Sequence, residues 1–89
     1  MRLDKYLKVS RLIKRRTVAK EIADQGRIRI NGNAAKAGSN VTVGDELHIQ
    51  FGNRLVTVEV TEIKETSKKE EASSMYKVVK EEAVDQGSF

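Results

Sequence analysis

Residues 2–32 read RLDKYLKVSRLIKRRTVAKEIADQGRIRING, and this stretch decides the fold. Leu3 and Leu7 lie four apart and share a helical face with Tyr6, which predicts a first helix over about Leu3–Val9. Asp4 falls in its first turn, where a carboxylate suits the positive helix end and accepts free backbone N–H bonds. Ser10–Arg16 then links to a second helix that begins at Arg15 or Thr17 and runs to Gln25. Val18, Ile22, Ala19 and Ala23 supply its apolar stripe. Gly26 suits the left-handed position after a helix end, which glycine enters without a Cβ penalty. Arg27-Ile28-Arg29-Ile30 alternates as a strand with one buried face, turning Arg27 and Arg29 outward together. Asn31-Gly32 is the strongest short turn signal in the chain.

Further along, Val41 and Val43 lead into a turn at Gly44-Asp45. Leu47, Ile49 and Phe51 alternate as a second strand, Gly52-Asn53 closes a hairpin, and Val56, Val58 and Val60 form the third. Ile63 falls out of parity with those valines and marks a bulge or the strand end. From Lys64 the run KETSKKEEASS is polar and without periodicity. Beyond it, Met75, Val79 and Ala83, with Tyr76 alongside, fit one face of a short amphipathic helix. Eighty-nine residues make one domain. The expected fold is α+β: two N-terminal helices packed on a small antiparallel sheet in residues 1–63. Residues 64–89 follow as a charged linker with a C-terminal tail or short amphipathic helix.

Residues 1–30 carry ten Lys and Arg against three acids, so this third of the chain is +7 while the whole chain is +4. A charge asymmetry of that size points to a polyanion. Arg11, Lys14, Arg15 and Arg16 cannot all be buried unpaired, so they emerge together around the inter-helix elbow, over Leu12 and Ile13. Their mutual repulsion costs stability unless something anionic binds. A DNA-reading helix-turn-helix is disfavoured, because the second helix exposes Glu21 and Asp24 beside Lys20 and Gln25, a poor set for the major groove. The absence of cysteine excludes a disulfide framework and thiolate metal sites. The single histidine, His48, alternates with Leu47 and Ile49 and reads as the solvent face of a strand rather than a ligand. Nothing resembles a catalytic constellation or a Gly-rich phosphate loop, so the expectation is no enzyme, no cofactor and no metal. Tyr6, Phe51, Tyr76 and Phe89 are too scattered to stack bases, so any RNA contact is expected to be mostly to backbone and shape. No apolar run approaches bilayer-spanning length and no signal-peptide core opens the chain, which reads as soluble and cytoplasmic.

Arg2-Leu3-Asp4-Lys5, Leu7, Arg11, Lys14, Arg16, Ala19, Ile22, Gly26, Ile28, Ile30 and Asn31-Gly32 together resemble the RNA-binding domain of the ribosomal protein S-four type, over residues 2–50. The likeness is nearest to small stand-alone members, the ribosome-associated fifteen-kilodalton heat-shock protein family and the RqcP family. It implies the alpha-L RNA-binding motif, two helices presenting a basic face to structured RNA. It also implies a setting: a large ribosomal subunit that still holds peptidyl-tRNA. There such a factor contacts rRNA and tRNA and steadies P-site tRNA in ribosome-associated quality control, while an RqcH-type factor drives alanine tailing of the stalled chain.

Carried over by position, Arg2, Arg11, Lys14 and Arg16 are the matched cations, and Asp4 orients Arg2 or Arg16 or caps the first helix. Arg15 stands where a serine is often found, so Thr17 becomes the alternative cap. Arg2, Lys8, Arg11, Lys14, Arg15, Arg16, Lys20, Arg27 and Arg29 are thus the expected RNA contacts, with Asp4 supporting, in a monomer that touches no membrane. The tail lacks the long basic extension of the heat-shock relative. The alternative readings are a regulator or chaperone binding free structured RNA or tRNA, and a protein–protein adaptor acting through Met75–Ala83.

Overall fold

The computed structural model describes residues 1–65 and 68–83. Residues 66–67 and 84–89 of the expected tail, Phe89 among them, lie outside the described residues. The first two helices are α1 (Leu3–Val9) and α2 (Arg16–Asp24). Arg15 is the residue before α2 but makes no capping bond through its side chain. Thr17 sits inside the first turn, so the alternative cap expected there does not operate, and the helix start lacks a side-chain cap as Arg15 implied. The end of α2 is better defined. Gly26 takes φ +77, its N–H bonds the Ala23 carbonyl at 3.0 Å, and the Arg27 N–H bonds the Ile22 carbonyl at 3.2 Å. This paired pattern satisfies two of the helix's last carbonyls and needs a left-handed residue at position 26.

The chain then enters β1 (Ile28–Ile30), turns through Asn31 (φ 52) and Gly32 (φ 84), and returns as the two-residue β2 (Asn33–Ala34). Positive φ at both central positions is the two-residue hairpin geometry whose twist matches the flanking strands. Asn31 does more than turn the chain. Its Oδ1 accepts the Glu46 N–H at 2.9 Å and its Nδ2 donates to Asp45 Oδ1 at 3.1 Å, fixing the turn to the start of the next strand. That strand is β3 (Glu46–Phe51), which forms a hairpin with β4 (Arg54–Val60). A short α3 (Lys69–Ala72) and a 3-10 turn (Ser73–Met75) lead into β5 (Tyr76–Ala83). The order across the sheet is β2-β1-β3-β4-β5, with every pair antiparallel.

The register aligns Ile28, Ile49 and Val56 in one row and Ile30, Leu47 and Val58 in another. Both rows face the helices. Leu3, Tyr6, Leu7, Ile28, Leu47, Ile49 and Val58 are fully buried in one cluster that also takes in Ile13, Ala19, Ala23, Val41 and Met75. Each large aliphatic side chain so buried contributes roughly 1.5–3 kcal/mol. In α2 the sunken residues are Ala19 and Ala23, while Val18 is 38% exposed. The expected stripe is therefore narrower, because two methyl side chains let the helix settle close to its neighbours. His48 lies on the far face of the sheet in a row with Arg29, Thr57 and Lys80, as its alternation predicted.

The C-terminal expectation fails. Residues 76–83 are a strand, not an amphipathic helix, and they carry the sheet past the boundary expected at residue 63. Adjacent Val78 and Val79 beside Tyr76 favour extended backbone, and the open edge of β4 offers a partner for every second N–H and C=O. The helical spacing of Met75, Val79 and Ala83 was coincidental. Met75 is fully buried in the core, whereas Val79 is 53% exposed at a bulge where the register with β4 shifts between Thr57 and Val58. The irregularity thus lies opposite Thr57–Val58; β4 simply ends at Val60, before Ile63. The phenol of Tyr6 donates to the Met75 carbonyl at 2.7 Å, tying α1 to the segment that precedes β5. Met75→Ala is expected to cost about 2–5 kcal/mol in urea unfolding. Val79→Ala should change stability by less than about 0.5 kcal/mol.

Candidate nucleic-acid interface

Asp4 is 3% exposed and receives two guanidiniums. Arg2 approaches with Nε 3.2 Å from Oδ1 and Nη2 3.3 Å from Oδ2. Arg16, the first residue of α2, reaches back along α1 with Nη2 3.4 Å from Oδ1 and Nε 3.3 Å from Oδ2. The Lys5 backbone N–H completes the set at 2.8 Å from Oδ1. Burial works to raise the pKa of this carboxyl. The Arg16 hydrogen bond, the Lys5 N–H, the Arg16 charge and the Arg2 hydrogen bond outweigh it and hold the carboxyl below its ordinary 3.8. One negative charge between two positive ones leaves the cluster net cationic. The arginine side chains stay 56% and 45% exposed, so their outer edges face solvent. The expectation that Asp4 orients one arginine or caps the helix resolves into orienting both while binding one first-turn N–H.

The other free N–H groups of α1 are taken by a loop. The Leu3 N–H bonds the Ser39 carbonyl at 2.8 Å and the Asp4 N–H bonds the Ala37 carbonyl at 3.1 Å. The Met1 ammonium donates to Asn40 Oδ1 at 2.9 Å, and Arg2 forms an isolated antiparallel bridge with Asn40. Backbone carbonyls from thirty-odd residues downstream thus do the capping, and Arg2 is held from both its backbone and its side chain.

The elbow between the helices is equally fixed. Ser10 is 1% exposed and donates through Oγ to the Leu7 carbonyl at 3.3 Å. Arg11 follows in the left-handed region at φ 63, its N–H bonding the Lys8 carbonyl at 3.0 Å; the Ile13 N–H closes onto the Leu7 carbonyl at 3.1 Å. Ile13 is buried, pinning the elbow, and Leu12 is half-buried. A side chain at such a φ costs about 1–2 kcal/mol relative to glycine's freedom. The side chains of Arg11, Lys14 and Arg15 are exposed and have no partner among the described residues.

The nine expected contacts therefore divide. Arg2 and Arg16 meet at Asp4, and Arg11, Lys14 and Arg15 occupy the elbow leading to Arg16. Lys8 lies at the last turn of α1. Lys20, four residues after Arg16, shares its flank of α2. Arg27 is exposed where α2 ends and β1 begins. Arg29 does not join the cluster: strand alternation puts it beside His48, on the sheet face turned away from the helices. Lys36, on the loop that covers the start of α1, is an exposed cation the sequence reading passed over. The signal was weak because nothing in the sequence pairs residues 36–40 with residues 1–4. Among the described residues no group of three or more His, Cys, Asp and Glu gathers as a metal site requires.

Two outcomes follow. The folded-state pKa of Asp4 lies below its unfolded value, so its contribution to stability is full above about pH 4 and disappears as pH falls through the folded pKa. Asp4→Asn is expected to lower Tm at pH 7, with the deficit shrinking as pH falls below about 4 in a thermal melt series. Arg11→Gly is expected to raise stability by about 0.5–1 kcal/mol in urea unfolding, because glycine occupies that φ without a Cβ penalty.

Comparison with known proteins places this geometry. The S4 domain family matches residues 1–47. The chain is 71% identical over 92% of its length to the RQC P-site tRNA stabilizing factor of Bacillus subtilis (strain 168), spanning 95% of that protein. It is 60% identical over 97% of its length to the factor of the same name in Listeria monocytogenes, spanning 94% of it. Among solved structures, the trimeric structure of Vibrio cholerae Heat Shock Protein 15 superposes with a TM-score of 0.82 at 28% identity, covering 89% of this chain and 81% of that one. By domain match and by near full-length identity, the chain belongs to the S4-domain family and, within it, to the RQC P-site tRNA stabilizing factors.

Proposed function

We propose that the chain is a non-catalytic RNA-binding factor of the large ribosomal subunit, which contacts rRNA and peptidyl-tRNA and steadies P-site tRNA during ribosome-associated quality control. The observation that carries this reading is the cationic surface running from the Arg2–Asp4–Arg16 cluster to Arg11, Lys14 and Arg15, which have no partner among the described residues, in a chain 71% identical to a relative named for stabilizing P-site tRNA. The guanidiniums of Arg2 and Arg16 arrive already oriented by one carboxylate. Ordering them on binding therefore costs less than freezing two free side chains would. Each presents a planar donor edge suited to a phosphate, and Arg11, Lys14 and Arg15 add charge that has no counterion among the described residues.

An A-form duplex hides its bases in a deep, narrow major groove. Rigid cations on a fixed helix pair thus select the spacing of phosphates and 2′-hydroxyls rather than a base sequence. Lys8, Lys20 and Arg27 widen the attractive field, while Arg29 acts from the other side of the sheet. No bond is made or broken in this role; its output is the residence time of the tRNA. The proposal places the chain in the cytoplasm as a single copy on the subunit, with an RqcH-type factor as its companion in alanine tailing. Among the described residues no helix is long and apolar enough to cross a membrane.

The test is sucrose-gradient fractionation with the full chain. Lys14→Glu combined with Arg15→Glu is expected to abolish migration with large subunits while leaving circular dichroism and Tm near the parent, since neither side chain has a partner among the described residues to lose. Continued co-migration overturns the reading, and a parent chain that stays near the top of the gradient makes it a binder of free RNA instead. With four or five phosphates neutralised, a rise from 50 to 200 mM salt should weaken binding by roughly one to three powers of ten.

A further inference from the structure

The loop over the start of α1 is anchored at every turn. Ala35 and Ala37 are each 4% exposed and Val41 is fully buried. The Ser39 N–H bonds the Lys36 carbonyl at 2.9 Å, the Lys36 N–H bonds Ser39 Oγ at 2.9 Å, and the Val41 N–H bonds the Met1 carbonyl at 2.8 Å. Gly38 is exposed on the crest of this closed turn. Gly26, Gly32, Gly44 and Gly52 all have positive φ and a conformational reason to be glycine; Gly38 does not. Packing gives no reason either. A Cβ built there would lie 3.8 Å from Arg2 Nη2 and 3.9 Å from Arg2 Cζ, ordinary van der Waals distances, with no other nearby contact. A side chain longer than alanine would therefore extend over the guanidinium that Asp4 holds in place. Two residues earlier, Lys36 is exposed and has no ion-pair partner among the described residues.

We propose that the crest Lys36–Gly38 forms part of the RNA-contacting surface. Gly38 leaves the Arg2 guanidinium uncovered so that an RNA phosphodiester backbone approaches it closely, and Lys36 supplies a further phosphate contact at the rim. This rests on the RNA-binding reading above and adds to it a contact element on a loop, outside the helices. It accounts for a glycine that neither backbone nor core demands. It also gives the loop a second role besides capping α1, since the carbonyls of Ala37 and Ser39 that bind the helix fix the crest against Arg2.

The probe is a purified large ribosomal subunit carrying peptidyl-tRNA, titrated with the full chain and its variants. Gly38→Ala should have the smallest effect of the substitutions at this position, because its Cβ reaches only van der Waals distance of the guanidinium. Gly38→Leu should weaken binding about tenfold or more and Gly38→Glu further still, the added carboxylate competing for Arg2, each with Tm within about 5 °C of the parent. Lys36→Gln should weaken binding severalfold and reduce the salt slope by about one.

Parent-like binding by Gly38→Leu overturns the proposal. So does a fall in Tm beyond that margin, because the glycine would then serve the fold. Loss of binding by the Lys14→Glu, Arg15→Glu chain, with Gly38→Leu and Lys36→Gln unaffected, removes only the crest and leaves the helix surface standing. Parent-like binding by the Lys14→Glu, Arg15→Glu chain removes the underlying reading instead.

Discussion

Asp4 lies almost wholly out of water while Arg2 and Arg16 close over it, and the meeting of the two helices depends on that contact. A carboxylate withdrawn from solvent is costly unless its lone pairs are filled, and here two guanidiniums and one backbone N–H fill them. Arg2 precedes α1 and Arg16 opens α2, so the same bonds that satisfy the carboxylate set where α2 begins relative to the start of α1. The start of α2 has no side-chain cap, and its position is supplied by Arg16 and by the burial of Ala19 and Ala23. An ion cluster half open to water adds little net stability; its stronger effect is on orientation.

The elbow runs against stability twice. Arg11 occupies a backbone region that penalises any side chain, and Arg11, Lys14 and Arg15 repel one another without a counterion among the described residues. Strain of this kind persists only where the surroundings over-determine it. Buried Ile13, the Ser10 hydroxyl bond and the Ile13 N–H to Leu7 carbonyl bond supply that constraint here. The opposite end of the molecule shows a different economy. The outer edge of β5 is interrupted by its bulge and carries Lys77, Lys80, Glu81 and Glu82, features that blunt a sheet edge against further strand pairing.

Local signals in the sequence were sufficient for the helices, the Gly26 cap, the Asn31-Gly32 turn and the β3–β4 hairpin, because each is decided by residues within a few positions of one another. Asp4 as an organiser of arginines was legible for the same reason, given the family pattern around it. What escaped is what depends on distant pairing. The strand Tyr76–Ala83 exists because β4 leaves an edge for it, and a helical spacing of three apolar residues misled in the absence of that knowledge. Arg29 was grouped with the elbow because its charge was visible while the side of the sheet was not. Lys36 and Gly38 carried no periodicity, and only the loop's bonds to the first residues of α1 bring them beside Arg2.

The hydrogen bond from Tyr6 to Met75 joins positions 69 residues apart. The buried phenol of the first helix and its acceptor are thus separated by four of the five strands that build the sheet. Loop closure over such a span must precede the reward of the contact, which slows folding relative to chains built from neighbouring pairs. The core is therefore incomplete until the segment around Met75 has docked on α1, which makes its closure a late and all-or-none event rather than a stepwise one.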